Sequence, residues 1–301
     1  MLFFTKLLFS GLALCWGLSQ VDFKNLQLVF KELPLNIYAF AFLVLCFSIS
    51  LNGLRLYFIA KKLNMNQSFK FLHQITWIGI FFNQLLPGGI GGDAYRIYTL
   101  SKNSNGILSS AVIIWDRILG IICMGLLSST FLLVINLPQP IRIISTIIYS
   151  SLLLVVITLG LFIRYPILQK YKLVTNLWKI FATAKDLVKS PFALIATSLV
   201  LALVNFAVFY FLIITLKIPL NFAESSVLFT LSLVVVLIPI SISGWGLREG
   251  FLTAYFSTMG LPSEMGFTLG VLQGLLMLLT GSIGAVFYLF AKKLKINLQT
   301  P

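Results

Sequence analysis

The chain has 301 residues, of which 59% are hydrophobic and 10% charged, against roughly 45–50% apolar and about 25% charged in soluble domains. Its 22 Lys and Arg outnumber 8 Asp and Glu, a net charge of +14, but its apolar runs are too long for a soluble nucleic-acid binder. The basic excess fits the cytoplasmic loops of a membrane protein instead. Cys15, Cys46 and Cys123 lie apart inside apolar runs, and His73 is the only histidine. These exclude a disulfide framework, a zinc cluster and a Ser-His-Asp triad, so no metal or cofactor is expected and His73 reads as structural or interfacial.

A spanning helix needs about 20 largely apolar residues. Runs of this kind occupy 2–19, 35–54, 71–86, 107–137, 143–163, 191–216, 224–240 and 264–290. The first carries Lys6 and has no small-x-small cleavage site after Trp16, so it reads as a retained helix rather than a signal peptide. Pro191 suits the first turn of the run that it opens. The 27 phenylalanines are read as lipid-facing bulk.

Two runs are short and broken. Residues 71–86 end at Pro87-Gly88-Gly89-Ile90-Gly91-Gly92-Asp93, and 224–240 end at Pro239-Ile240-Ser241-Ile242-Ser243-Gly244-Trp245-Gly246. Proline removes a backbone donor and glycine raises conformational freedom, so each cluster interrupts a helix. A second amphipathic stretch starts after each, near Ala94 and Leu247.

Charge placement tests whether these runs cross. The basic stretches 55–70, 164–190 and the tail Lys292, Lys293 and Lys295 should be cytoplasmic. Three apolar runs separate each successive pair of them, although two cytoplasmic loops require an even number of crossings. Re-entrant hairpins at both broken runs remove the conflict, leaving Arg96, Arg117 and Arg248 inside membrane segments. The order span, span, hairpin, span then occurs twice with opposite orientation. The breaks also correspond residue by residue: Pro87 with Pro239, Gly92 with Gly244, Arg96 with Arg248. Paired Gly/Pro-interrupted segments in two halves are a pointer to a transporter site near the midplane. The expected fold is all-α: a polytopic integral membrane protein, one transmembrane domain over 1–301, with about six to eight spanning helices. Its inverted halves are 1–137 and 143–290, and 164–190 forms a basic amphipathic cytoplasmic loop.

Three constellations carry candidate chemistry. In the first, Asn83, Gly88, Gly89, Gly91, Gly92, Asp93 and Arg96 combine freely oriented backbone N–H groups, a helix N-terminus and an ion pair, an arrangement suited to an anion. Asp93 is expected to cap the returning helix. The bland alternative is a tight turn with Asp93 and Arg96 neutralising each other. The second comprises Ser241, Ser243, Gly244, Arg248 and Glu249, with an interfacial turn and a snorkelling Arg248 as alternative. The third is Asp116 with Arg117, whose alternative is a structural ion pair between helices. Ionisable residues within the membrane are costly and usually functional. The lysines around Leu177 and Trp178 suit a helix lying on anionic lipid.

The motifs Asn83…Leu86-Pro87-Gly88-Gly89-Ile90-Gly91-Gly92-Asp93…Arg96, Asp116-Arg117 and Pro239 through Gly250, with Arg55, resemble the transmembrane region of the lysylphosphatidylglycerol synthase and flippase-like family. The resemblance implies a bacterial-type inner-membrane domain that moves or handles phospholipids or polyprenyl-linked glycolipids. Lipid-modifying enzymes or glycosyltransferases would be its partners. Some relatives carry a fused aminoacyl-transfer domain that makes lysylphosphatidylglycerol; its absence is expected here after residue 301, so enzymatic activity is not the leading expectation. Gln273 departs from the family pattern, in which an arginine is frequent. The leading expectation is a lipid translocase-like protein with both termini cytoplasmic, a head-group phosphate held by Arg96 and Arg248, and Asp93, Asp116 and Glu249 supporting the arginines. The alternatives are a membrane-embedded phosphatidylglycerol lysyltransferase-type enzyme, or its accessory subunit, using Asp93 or Glu249 as base, and a small-solute secondary transporter.

Overall fold

The structure, a computed structural model, describes residues 35–85, 90–102, 104–164, 172–238 and 240–293. The expected first span at 2–19 and the expected breaking residues Pro87, Gly88, Gly89 and Pro239 lie outside the described residues. The regular elements described are all helices: α1 (Leu35–Lys62), α2 (Phe69–Leu85), α3 (Gly91–Ser101), α4 (Gly106–Leu132), α5 (Gln139–Arg164), α6 (Lys172–Ala182), α7 (Ala184–Val188), α8 (Phe192–Thr215), α9 (Phe222–Val236), α10 (Leu247–Thr258) and α11 (Ser263–Lys293). Four of them, α1, α4, α8 and α11, are long and apolar enough to cross a bilayer. The protein is an all-helical, polytopic integral membrane protein.

The two interrupted runs form helix pairs. At 17 and 15 residues, α2 and α9 reach only about 22–26 Å at 1.5 Å per residue, short of a hydrocarbon core of about 30 Å. The first pair, α2 and α3, is an antiparallel hairpin, with Gly92 seated on the Gly79 carbonyl and Asn83, and Arg96 passing over Gly79. It starts where Phe69 meets Tyr57 near the end of α1. The second pair, α9 and α10, starts where Phe222 meets Phe131 near the end of α4 and Tyr210 of α8. Where the breaks come together, Ser243 Oγ donates to Gln84 Oε1 at 2.7 Å.

Helix α11 joins the two pairs through glycines. A Cβ on Gly266 would lie 2.5 Å from the Leu252 carbonyl oxygen, and one on Gly270 3.0 Å from Glu249 Cα. Further along, one on Gly284 would lie 2.2 Å from the Trp77 carbonyl oxygen of α2. Lipid tails are as apolar as leucine, so helix association in a membrane depends on close van der Waals contact, which small residues permit. The spacing Gly266, Gly270, Gly274 puts three of them on one face at successive turns.

Two apolar cores result. One gathers α8, α9, α10 and α11 around Phe206, Phe209 and Phe256; the other gathers the last turns of α1 with α2, α4 and α6. Phenylalanine therefore fills the interior as well as facing lipid, since Phe40, Phe47 and Phe290 are exposed. His73 lies between Phe69 and Trp77, accepting the Trp77 indole N–H, the structural role expected of it. In the basic stretch, α6 turns Ile180 inward and leaves Lys179 exposed. Trp115 Nε1 of α4 donates to Thr183 Oγ1 at 2.9 Å, tying this stretch to α4.

Because Gly92 abuts backbone rather than a movable side chain, Gly92→Ala should splay the α2–α3 hairpin. The cost expected for overpacking is about 1–3 kcal/mol. Gly160→Ala, at an exposed α5 position with nothing within 4 Å of a new Cβ, should be near neutral. Thermal unfolding of both variants in detergent checks this difference.

Candidate functional site

Five ionised side chains from three helices meet in one network. Arg55 comes from α1, Asp93 and Arg96 from α3, Asp116 and Arg117 from α4. Arg55 Nε lies 2.8 Å from Asp116 Oδ1, and Arg96 Nη1 lies 3.6 Å from Asp116 Oδ2. Arg96 Nη2 donates to Asp93 Oδ1 at 2.7 Å. Arg117 grips the same carboxylate twice, Nε to Oδ2 at 2.7 Å and Nη2 to Oδ1 at 3.2 Å. Arg55, Arg96 and Asp116 are buried. Asp93 keeps 15% of its side chain exposed and Arg117 40%, so the network opens on the Arg117 side.

Helical geometry explains the convergence. Asp93 and Arg96 stand three residues apart and share a face of α3. Gly79 and Gly120 clear the way: a Cβ on Gly79 would lie 2.9 Å from Arg96 Nε, and one on Gly120 3.2 Å from Arg55 Nη1. Asp116 is ten residues into α4, about 15 Å along its axis, and is 1% exposed.

The charges do not cancel. Three guanidinium groups face two carboxylates, a surplus of one positive charge within the network. The surplus is matched by unused donors, because Arg96 Nε and Nη1 are buried with no hydrogen-bond partner. A guanidinium presents its donors as a planar fork that fits carboxylate and phosphate oxygens. The network therefore keeps donor capacity of a kind that oxyanion oxygens match.

Several residues do different work from that expected. Asp93 does not cap α3: the cap position is Ile90, and Asp93 lies in the first turn with its carboxylate on the arginines. The free N–H group of α3 is met from across the hairpin, since Asn83 Oδ1 accepts from Gly92 N at 2.8 Å. Asn83 and Gly92 thus hold the hairpin together, and Gly91 is buried in the same first turn. Arg55, assigned by its position to a basic loop, is a buried member of the network because α1 continues to Lys62. A signal for this was present in the sequence: Arg55 lies seven residues beyond Ser48, so two polar residues share one face of an apolar helix.

The second constellation is closed. Arg248 donates from Nη2 and Nε to Glu249 Oε1 at 2.5 and 3.1 Å, from Nε to the Gly270 carbonyl at 3.0 Å, and from Nη1 to Met277 Sδ at 3.7 Å. Its guanidinium also lies 5.3 Å from the Trp245 ring centroid, so Trp245 is packed on Arg248. Glu249 Oε2 accepts the Gly246 N–H at 2.6 Å. Positive φ at Ser243 (52°), Gly244 (80°) and Gly246 (83°) makes the sharp turn that allows this. Ser243 is committed to Gln84, and Ser241 Oγ is buried without a partner. Gln273 does not join the ion pair; its unpartnered Oε1 belongs to a residue lining a cavity of about 40 Å³ with Asn205 and Met277, too small for a head group.

The structure thus joins Asp93, Arg96, Asp116 and Arg117 with Arg55, while Arg248 and Glu249 form a separate pair. Arg248→Ala should strand Glu249 in the interior, at a cost of about 3–5 kcal/mol for a broken buried pair. The expected outcome is a large drop in thermal stability, partly restored by Arg248→Ala combined with Glu249→Gln, as measured by unfolding in detergent.

Residues 3–285 match the family described as the lysylphosphatidylglycerol synthase TM region. The chain is also 33% identical over 138 residues to the UPF0104 membrane protein PH1989 of Pyrococcus horikoshii, a match covering 44% of this chain and 41% of that protein. The chain therefore matches well under two thirds of that relative's length. No solved structure matches it. With a match running from the first apolar run into α11 and including both breaks and the arginine network, the chain belongs to the lysylphosphatidylglycerol synthase transmembrane-region family.

Proposed function

We propose that the protein is a lipid translocase-like membrane protein that takes an anionic phospholipid or polyprenyl-linked glycolipid head group at the Arg55, Arg96 and Arg117 network. The observation that carries this reading is Arg96, which is buried with two donors unused in a network of net positive charge. A buried, undersupplied guanidinium is costly in a membrane interior unless an anion completes it. Family membership supports lipid as the source of that anion.

Alternating access is the proposed mode of action. One hairpin starts near the end of α1 and the other near the end of α4, and they meet at the Gln84–Ser243 contact, which suits halves of inverted orientation rocking about their junction. In this reading the Arg96 half binds the head group and the Arg248 half, sealed by its own ion pair, serves as a structural counterpart. The basic face bearing Lys179, Lys185 and Lys189 lies on the cytoplasmic leaflet of a bacterial-type inner membrane, with both termini on that side. Lipid-modifying enzymes or glycosyltransferases would supply or use the transported lipid.

Arg96→Ala should abolish translocation of a fluorescent anionic lipid in proteoliposomes, while the variant purifies as a folded protein; translocation at the wild-type rate would overturn the reading. For topology, Lys179→Cys in a background with Cys15, Cys46 and Cys123 changed to serine should resist a membrane-impermeant thiol reagent in intact cells. It should react once the inner leaflet is exposed.

A further inference from the structure

The two aspartates of the network are not equivalent. Asp116 is buried and pairs with Arg55, which is itself buried. Asp93 lies nearer the opening and places its two carboxylate oxygens between the guanidinium groups of Arg96 and Arg117, accepting three hydrogen bonds. Two oxygens held between two arginine forks are also what a phosphoryl group offers. We propose that Asp93 is an internal stand-in for the ligand, displaced when a phosphoryl oxyanion enters beside Arg117. This inference rests on the reading of the Arg96 network as an anion site.

Three features support the exchange. Arg117, with 40% of its side chain exposed, is the point of entry, and its partner on the inner side is Asp93. Replacing one carboxylate by one singly charged phosphoryl group leaves the charge of the site unchanged, so electrostatics does not oppose the substitution. The incoming group also gains donor capacity on Arg96, whose Nε and Nη1 make no hydrogen bond while Asp93 is in place, Nη1 lying 3.6 Å from Asp116 Oδ2.

Displacement has a structural consequence. Asp93 belongs to α3 and Arg117 to α4, and their double hydrogen bond ties the two helices. Once the ligand holds Arg117, that direct tie is replaced by one through the ligand, which lies between Arg117 of α4 and Arg96 of α3, while the glycine fit and the Asn83 cap keep α3 on α2. Binding is thereby coupled to loss of the direct Asp93–Arg117 bond, and Asp93 determines how tightly an anion must bind to achieve it.

The test uses the full chain in phosphatidylcholine nanodiscs and calorimetric titration with inorganic phosphate in one arm and dihexanoyl phosphatidylglycerol in the other. Removing an internal competitor raises the fraction of binding-competent sites, so Asp93→Asn should bind roughly tenfold tighter or more. Tightening in the lipid arm alone identifies a head group as the ligand, and tightening in both arms identifies the phosphoryl group itself; either supports displacement. Measurable wild-type binding that Arg96→Ala abolishes but Asp93→Asn leaves unchanged or weakens would overturn displacement and leave the anion site standing. No binding by wild type or Asp93→Asn in either arm would overturn both. Asp93→Ala gives a second readout should Asp93→Asn fold poorly. It removes the same competing carboxylate and should also bind more tightly than the wild type, and unchanged or weaker binding would refute the proposal.

Discussion

An ionised group removed from water must be answered by another group, and this constraint organises the protein. The cost of moving a carboxylate or guanidinium into a low-dielectric interior is several kcal/mol even after relaxation. Buried Arg55, Arg96, Asp116, Arg248 and Glu249 therefore dictate which helices must touch. Arg55 and Asp116 fasten α1 to α4, and Asp93 fastens α3 to Arg117 of α4. The bond from Arg248 to the Gly270 carbonyl holds α10 against α11. Apolar surface cannot select these neighbours in a bilayer, because lipid satisfies it equally well.

The same constraint is met in two ways, and the contrast carries the functional argument. Around Arg248 every donor nitrogen has a destination: a carboxylate, a carbonyl or a sulfur. Around Arg96, Nε and Nη1 make no hydrogen bond, and Nη1 meets Asp116 Oδ2 only as an ion pair at 3.6 Å. Segments with an arginine at a matching distance from a proline thus become a closed pair in one case and a network with donors to spare in the other. The difference arises in the neighbours. Glu249 adjoins Arg248 in sequence and curls back to the Gly246 N–H, whereas Asp93 and Asp116 together serve three arginines.

Glycine makes these approaches possible. Gly79 and Gly120 leave room for arginine side chains, and Gly92 lets α3 rest on the backbone of α2. Gly266, Gly270 and Gly274 do the same between α10 and α11. In a soluble helix such residues would be a net loss of about 1 kcal/mol each relative to alanine. In lipid they give the close contact that replaces the hydrophobic driving force. The arginine network and the helix packing are consequently one problem, since the glycines that position the arginines also seat the helices.

The sequence by itself determined the membrane class, the long apolar helices and the location of both breaks, because apolar run length and Gly/Pro clusters act locally. It also singled out Asp93, Arg96, Asp116, Arg117, Arg248 and Glu249, since charges are conspicuous in so apolar a chain. Partnership was not legible there. Arg55 resembled a loop charge until α1 was seen to continue past it to Lys62. Asp93 resembled a helix cap until Asn83 was found to cap α3 from across the hairpin. Tertiary structure alone decided that Arg248 is spent within the protein and that Arg96 keeps two nitrogens without a hydrogen bond. A guanidinium has several donors, and which of them remain free depends on oxygens contributed by residues far away in the chain.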